Sequence, residues 1–354
     1  MRWGRIYVLL GLLFLGRPLP SPGLQASFGL EYDDNLFEKI AESKRSGWVN
    51  RLFLSSSTRL LETKRGVLQL RHQWGAKRFW KSEEVQGSSG DVVASQLQIA
   101  VVAQLHERLS LFCDNEVKIK NVQRISSEES YLRGGLKLGL SGRLGKGVSA
   151  ELRLRRSSDD ARDTSMVDVA VNGLGMELAY EYRRNVQARL GLKWHWIDYE
   201  RPILQMAPVD SLDSRIEDQA DRMRELVAGV QFYRSILVHV SYALLENDSN
   251  SVGFSYRAHR LQLLVGRNLY HQVDGQFYLT LQRRRYREEL PQSLPQITAE
   301  ESDYEQMLLS FKLSRQLTSH YGLSTQYKRS RNGSRQAGAS FHKNIYSLAL
   351  DINF

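Results

Sequence analysis

Asn344–Phe354 reads NIYSLALDINF. Tyr346, Leu348, Leu350, Ile352 and Phe354 occupy every second position, with Ser347, Ala349, Asp351 and Asn353 between them. A period of two puts the five apolar side chains on one face of a β-strand. Left open, such a strand would invite edge pairing and aggregation, so the pattern requires a partner that receives it.

The same period recurs along the 354 residues. Phe28, Leu30 and Tyr32 alternate, as do Leu68, Leu70, His72 and Trp74. Leu132, Gly134, Leu136, Leu138 and Leu140 form another set, and Ala188, Leu190, Leu192, Trp194 and Trp196 another. Short polar links such as Leu61–Gly66, Arg143–Gly147 and Tyr182–Asn185 alternate with longer charged ones, above all Glu200–Ala220. Short turns on one side and long loops on the other are the rhythm of a transmembrane barrel. The expected fold is therefore all-β, an antiparallel up-and-down transmembrane β-barrel of about 16 strands, with 14 and 18 as alternative counts. Register changes are expected near Asn172 and Gly173, and after Ala258, where the alternation shifts phase.

Composition excludes other classes. Mean hydropathy is −0.42, and after residue 15 no apolar run is long enough to span a bilayer as a helix. Seven Pro, 26 Gly and 16 Tyr suit strands. Cys113 is the single cysteine, which rules out an intramolecular disulfide and a Cys-based zinc site. At the N-terminus, Arg2 and Arg5 precede a short apolar core, Val8–Gly16, and a Pro/Gly stretch that ends at Ala26. This is a secretory signal pattern. The expected organisation is a signal peptide at 1–26 and a barrel at 27–354. Removing Arg2, Arg5 and Arg17 takes the formal charge from +10 to +7.

Two stretches carry resemblances. The closing NIYSLALDINF resembles the C-terminal strand signature of outer-membrane barrels. That resemblance implies an assembly signal formed by Tyr346, Leu348, Leu350, Ile352 and Phe354, read by the barrel assembly machinery. GLEYDDNLFE, Gly29 to Glu38, resembles the YDSN-like opening of a loose group of Gram-negative outer-membrane barrels. Some of those are called porins and some are linked to polysaccharide or lipoprotein export. Many of them carry a helical repeat domain before the barrel, whereas here the first strand is expected almost directly after Ala26.

With the apolar sets facing lipid, the intervening residues face the lumen. Thirteen of the lumenal candidates are cationic and seven anionic, an excess that favours anionic solutes. Arg133, Lys137, Arg153, Arg155, Arg189 and Lys193, on strands six to nine, are the expected selective patch. The alternative is that lumenal Arg and Glu pair across strands and stiffen the wall. Trp48, Trp74, Trp80, Trp194, Trp196, Tyr199, Tyr286, Tyr321 and Tyr327 are expected anchors at the lipid interfaces. The eight His are scattered, and no catalytic triad, metal motif or cofactor loop is read; His195 and His239 are the one pair expected to approach each other. The expected protein is a non-enzymatic channel in the cell outer membrane, exported through the periplasm. It would pass small or polymeric anionic solutes through a basic lumen, with outer-membrane lipids around it and no nucleic-acid partner. The second reading is an accessory barrel in surface polysaccharide or lipoprotein export.

Overall fold

The computed structural model describes residues 23–35, 46–80, 91–123, 130–161, 168–203, 217–288, 303–334 and 340–354. They form sixteen strands in one closed barrel, each paired antiparallel with its sequence neighbours. The first four are β1 (Gly23–Asp33), β2 (Gly47–Thr63), β3 (Gly66–Phe79) and β4 (Asp91–His106). Next come β5 (Leu109–Gln123), β6 (Tyr131–Gly145), β7 (Val148–Ala161) and β8 (Val169–Arg183). The third quarter is β9 (Val186–Pro202), β10 (Asp218–Tyr233), β11 (Leu237–Ser249) and β12 (Tyr256–Asn268). The last is β13 (Val273–Tyr286), β14 (Asp303–Gln316), β15 (Tyr321–Ser334) and β16 (Phe341–Asn353). The seven short connections lie at one end and the eight longer ones at the other. This is the fold of transmembrane barrels, in which closure removes every edge.

NIYSLALDINF thus finds its partners. β16 pairs with β15 on one side and with β1 on the other, where Phe28 faces Leu350 and Leu30 faces Leu348. Tyr346, Leu348, Leu350 and Phe354 are all exposed on the outer wall, as are Leu154, Leu190 and Val230. These side chains form the apolar belt that hydrocarbon covers. β1 begins at Gly23, so Gly23–Ala26 pair with Ser57–Leu54 of β2. The expected cleavage point after Ala26 lies inside this strand, while residues 1–22 fall outside the described ones.

The YDDN motif is the clasp of this closure. Asp34 accepts hydrogen bonds from the backbone N–H and the side-chain amide of Asn344, both at 2.6 Å. Tyr327 donates to the Asn344 Oδ1 at 2.8 Å. Asp34 and Asn344 lie on the outer-facing phase of their strands. On the lumenal phase, Lys343 pairs with Asp33 at 2.8 Å, and the Asn35 side chain donates to the His342 carbonyl at 3.0 Å. The seam is therefore held on both faces at the long-loop end.

The strands correct two expected irregularities. β8 keeps one register from Val169 to Tyr180 against both neighbours, with Asn172 simply on the outer phase and Gly173 on the inner. β12 pairs without a shift on both sides. Its apparent phase change arises because Ala258 is a lumenal apolar residue. Ala243, Leu245 and Ala258 form a small buried cluster with Met223, Val227 and Tyr256. All six lie on the inner face, so part of the lumenal wall is dry.

The residues that connect β11 and β12 turn back to Asn247, whose side chain donates to the Phe254 carbonyl at 3.1 Å. Phe254 and Ser251 are buried, and the Arg201 guanidinium lies over the rings of Tyr199 and Phe254, 4.8 and 4.7 Å from their centroids. Arg201 donates to Gln219 at 2.9 Å, Gln219 donates to Asp221 at 3.0 Å, and Asn247 donates to Asp221 at 2.8 Å. This hydrogen-bonded shelf joins β9, β10 and β11 on the inner face, with the Asn247 Oδ1 left as its one buried acceptor without a partner among the described residues. Tyr199 belongs to this shelf and Tyr286 faces Tyr256 on the inner wall. Neither is a lipid anchor, which corrects the expectation; the strand phase places both inward. Most of the Glu200–Ala220 loop lies outside the described residues.

Inner-face glycines make room for larger neighbours. A methyl on Gly139 would run into the Phe112 ring and come within 2.6 Å of the Leu152 carbonyl oxygen. Gly139→Ala is therefore expected to destabilise the barrel by about 1–3 kcal/mol through overpacking. Urea unfolding of the refolded barrel, followed by tryptophan fluorescence, checks it. Gly191→Ala, where the nearest atom is the Met176 carbonyl oxygen at 3.6 Å, should leave the midpoint almost unmoved.

Candidate lumenal site

Every residue of the expected patch lies on the inner phase of β6, β7 or β9. Lys137 faces Arg155 and Gly139 faces Arg153 across β6 and β7. Gly175 faces both Arg153 and Lys193, and Gly173 faces both Arg155 and His195. Gly173 makes room for the His195 ring, whose Nδ1 would lie 2.9 Å from an added Cβ, and Gly175 lies between Arg153 and Lys193.

Five of the six cations have an acid beside them. Arg133 grips Asp159 with two hydrogen bonds of 2.6 and 2.5 Å. Lys137 lies 3.8 Å from Asp114, Arg189 lies 3.9 Å from Glu177 and Lys193 lies 3.0 Å from Glu225. Arg153 pairs with Glu151. Among the described residues Arg155 alone of the six has no ion pair. Cross-strand pairing of this kind stiffens the wall and mutes its field. Glu225 also takes Arg260, so that carboxylate holds β9, β10 and β12 together.

A second cationic group forms where the barrel closes. Glu31, almost wholly buried, accepts from Arg51 at 2.9 Å and from Lys77 at 3.1 Å. Lys328 and Lys312 approach from β15 and β14, and Lys328 lies within the fields of Lys77, Lys343, Arg51 and Glu31. A lumenal cavity of about 460 Å³ is lined by Glu31, Arg51, Lys77, Lys312, Lys328 and Tyr278, among others. With Lys343 and Asp33 included, five cations meet two anions, an excess of three. Among the described residues neither Lys312 nor Lys328 has a hydrogen-bond or ion-pair partner. Their ammonium groups are available to a solute, and low-dielectric walls on both sides concentrate their field in the lumen.

Lys77, Lys312 and Lys328 are among the thirteen cationic lumenal candidates of the sequence, but no local pattern brings them together. The signal was the closing strand itself: once β16 pairs with β1, strands 14–15 become near neighbours of strands 2–3. The expected approach of His195 and His239 fails. His195 faces Met223 and His239 faces Gln231, eight positions apart along β10, or about 26 Å. No group of three His, Cys, Asp or Glu side chains suited to a metal occurs among the described residues.

Sixteen closed antiparallel strands, an apolar outer belt and a polar lumen define a transmembrane β-barrel of the outer-membrane type. No protein-family model and no curated protein matches the chain. Solved structures do. OmpT, an outer membrane protein of Vibrio cholerae, aligns over 96% of this chain and 99% of its own, with 6% identity and a TM-score of 0.50. Acinetobacter baumannii OccAB3 aligns over 94% and 99%, with 10% identity and a TM-score of 0.49. Pseudomonas aeruginosa OprD aligns over 96% and 96%, with 8% identity and a TM-score of 0.47. At these identities the likeness is one of fold.

Proposed function

We propose that the chain is an outer-membrane channel that passes small anionic solutes, with the cationic group at the barrel seam as its selective site. The observation that carries this reading is the unpartnered pair Lys312 and Lys328 facing the cavity beside Arg51 and Lys77. A wall whose charges were all matched would select weakly. Arg155, between the paired cations of β6–β9, gives a second, weaker contact on another arc of the wall. Polymeric anions would use the two contacts in succession.

The test is single-channel conductance of the refolded mature protein in planar bilayers, with the reversal potential under a salt gradient. Stable open steps with anion preference are the expected result. A folded, heat-modifiable barrel without conductance would overturn the open pore and leave the accessory role in polysaccharide or lipoprotein export. Delivery follows the same reading. Export through the periplasm with cleavage after Ala26 trims β1 to Ser27–Asp33, and N-terminal sequencing of the membrane-inserted protein checks the position. Phe354 lies on the outer wall and is 70% exposed. Its loss is expected to cut membrane insertion in cells several-fold while leaving refolding in detergent unchanged, because its role is to be read by the assembly machinery.

A further inference from the structure

The outer wall changes character over β10–β15. Near the short-turn end and the centre it is apolar, with Leu263 and Val265 on β12, Phe277 and Leu279 on β13, and Leu309 and Phe311 on β14. Toward the long-loop end the same outward phase turns basic. Arg222 and Arg224 lie on β10, Arg283 and Arg285 on β13, and Arg329 and Arg331 on β15. Their phase is fixed by the register, which pairs Arg283 with His259 and Glu305, and Arg329 with Leu309 and Asn344. The remaining strands carry just two arginines at comparable outward positions, Arg78 on β3 and Arg156 on β7.

A cationic side chain on the lipid face costs about 2–4 kcal/mol at the bilayer midplane and about 0–1 near the interface. The band therefore marks the height of the outer-leaflet headgroups. Few acids oppose it. Glu246 and Asp248 are taken by Arg257 and Arg287, and Glu305 lies 3.9 Å from Arg331. Among the described residues Arg222, Arg224, Arg283, Arg285 and Arg329 have no hydrogen-bond or ion-pair partner.

Within the band the wall is grooved. A depression of about 370 Å³ has Leu261, Leu281 and Met307 along its floor and His259, Arg283, Arg331 and the carboxylate of Glu305 on its rim. Tyr242 Oη lies 2.5 Å from His259 Nδ1 and fixes that ring at one side. The lower end of the groove runs into the apolar belt, and the upper end is cationic.

We propose that this groove binds a phosphorylated lipid of the outer leaflet. The phosphate takes the unpaired Arg283 and competes with the Glu305 carboxylate for Arg331, and an acyl chain lies over Leu281 and Met307. Guanidinium groups bind phosphate through paired N–H donors, and the apolar floor gives a lipid an advantage that a soluble phosphate lacks. The inference does not depend on the pore being open, and its test does not use conductance.

Intact-complex mass spectrometry of the full refolded chain in detergent reads the bound lipid directly. Diphosphorylated lipid A, its dephosphorylated form and inorganic phosphate are the probes. The expected result is retention of the diphosphorylated lipid, at least tenfold weaker retention of the dephosphorylated form, and no displacement by millimolar phosphate. The combined change Arg283→Gln, Arg285→Gln and Arg331→Gln should weaken retention at least tenfold. Arg78→Gln with Arg156→Gln, on the opposite wall, should not alter it. Heat-modifiability on gels confirms that each variant is folded. Equal retention by the triple variant, equal binding of the dephosphorylated lipid, or full displacement by inorganic phosphate would each overturn the proposal.

Discussion

Replacing Lys77, Lys312 and Lys328 together by glutamine is expected to lower the anion-to-cation permeability ratio about tenfold in dilute salt. Two unit charges about 4 Å apart in a water-like medium interact by about 1 kcal/mol, and by several times that near a low-dielectric wall. Three cations that meet a passing anion in sequence therefore account for at least the ~1.4 kcal/mol that a tenfold ratio needs. The effect should fade toward 1 M salt, where the Debye length drops to about 3 Å. A charge-conserving control separates this site from the stiffened wall. Arg153→Gln with Glu151→Gln removes a pair and leaves the net charge unchanged, so the ratio should hold. Reversal potentials across a tenfold salt gradient measure both. An unchanged ratio in the triple variant would remove the seam as the selective element and return attention to Arg155.

The strand pattern was legible because burial in lipid enforces it. Each outward position must be apolar over the hydrocarbon, so a period of two survives along every strand. That regularity placed on the lumenal phase residues as far apart as Arg133 and Lys193, which the register puts on the inner face. The departures have particular causes. Ala258 and Leu245 are apolar on the inner face because they pack into a small lumenal cluster with Ala243, Met223, Val227 and Tyr256, and from the sequence they read as a change of phase. Tyr199 and Tyr286 look like interfacial anchors by type and position, yet their side chains serve the inner shelf and wall. The seam site was hidden for another reason. Glu31, Arg51, Lys77, Lys312 and Lys328 are joined by closure, and no local window contains both ends of a barrel. The expected patch on β6–β9 met a different obstacle: its cations all face the lumen, but the acids beside them, such as Asp159 and Glu225, stand one strand away and become partners through register alone.

The clasp at the seam gives the largest expected stability effect. Asp34→Ala removes two hydrogen bonds to a carboxylate, each 2.6 Å long, and leaves the Asn344 amide and backbone N–H to find other acceptors. Hydrogen bonds to charged groups contribute about 1.5–3 kcal/mol each, and partial exposure of the rim reduces that figure. The expected loss is about 2–4 kcal/mol, read as a lower urea midpoint of the refolded barrel. Asp34→Asn keeps one good acceptor and should recover about half. The location of the effect matters as much as its size. β1 and β16 still share the ladder from Gln25↔Asn353 to Asp33↔Ile345, so the variant barrel should close, with opening confined to its long-loop end. Hydrogen exchange should then rise at Lys343–Tyr346 and at Tyr32–Asn35 while Phe28 and Leu350 stay protected. Uniform loss of protection along β1 and β16 would mean that the motif serves closure as a whole. An unchanged midpoint would mean that the ladder alone closes the barrel and that YDDN is held for another purpose.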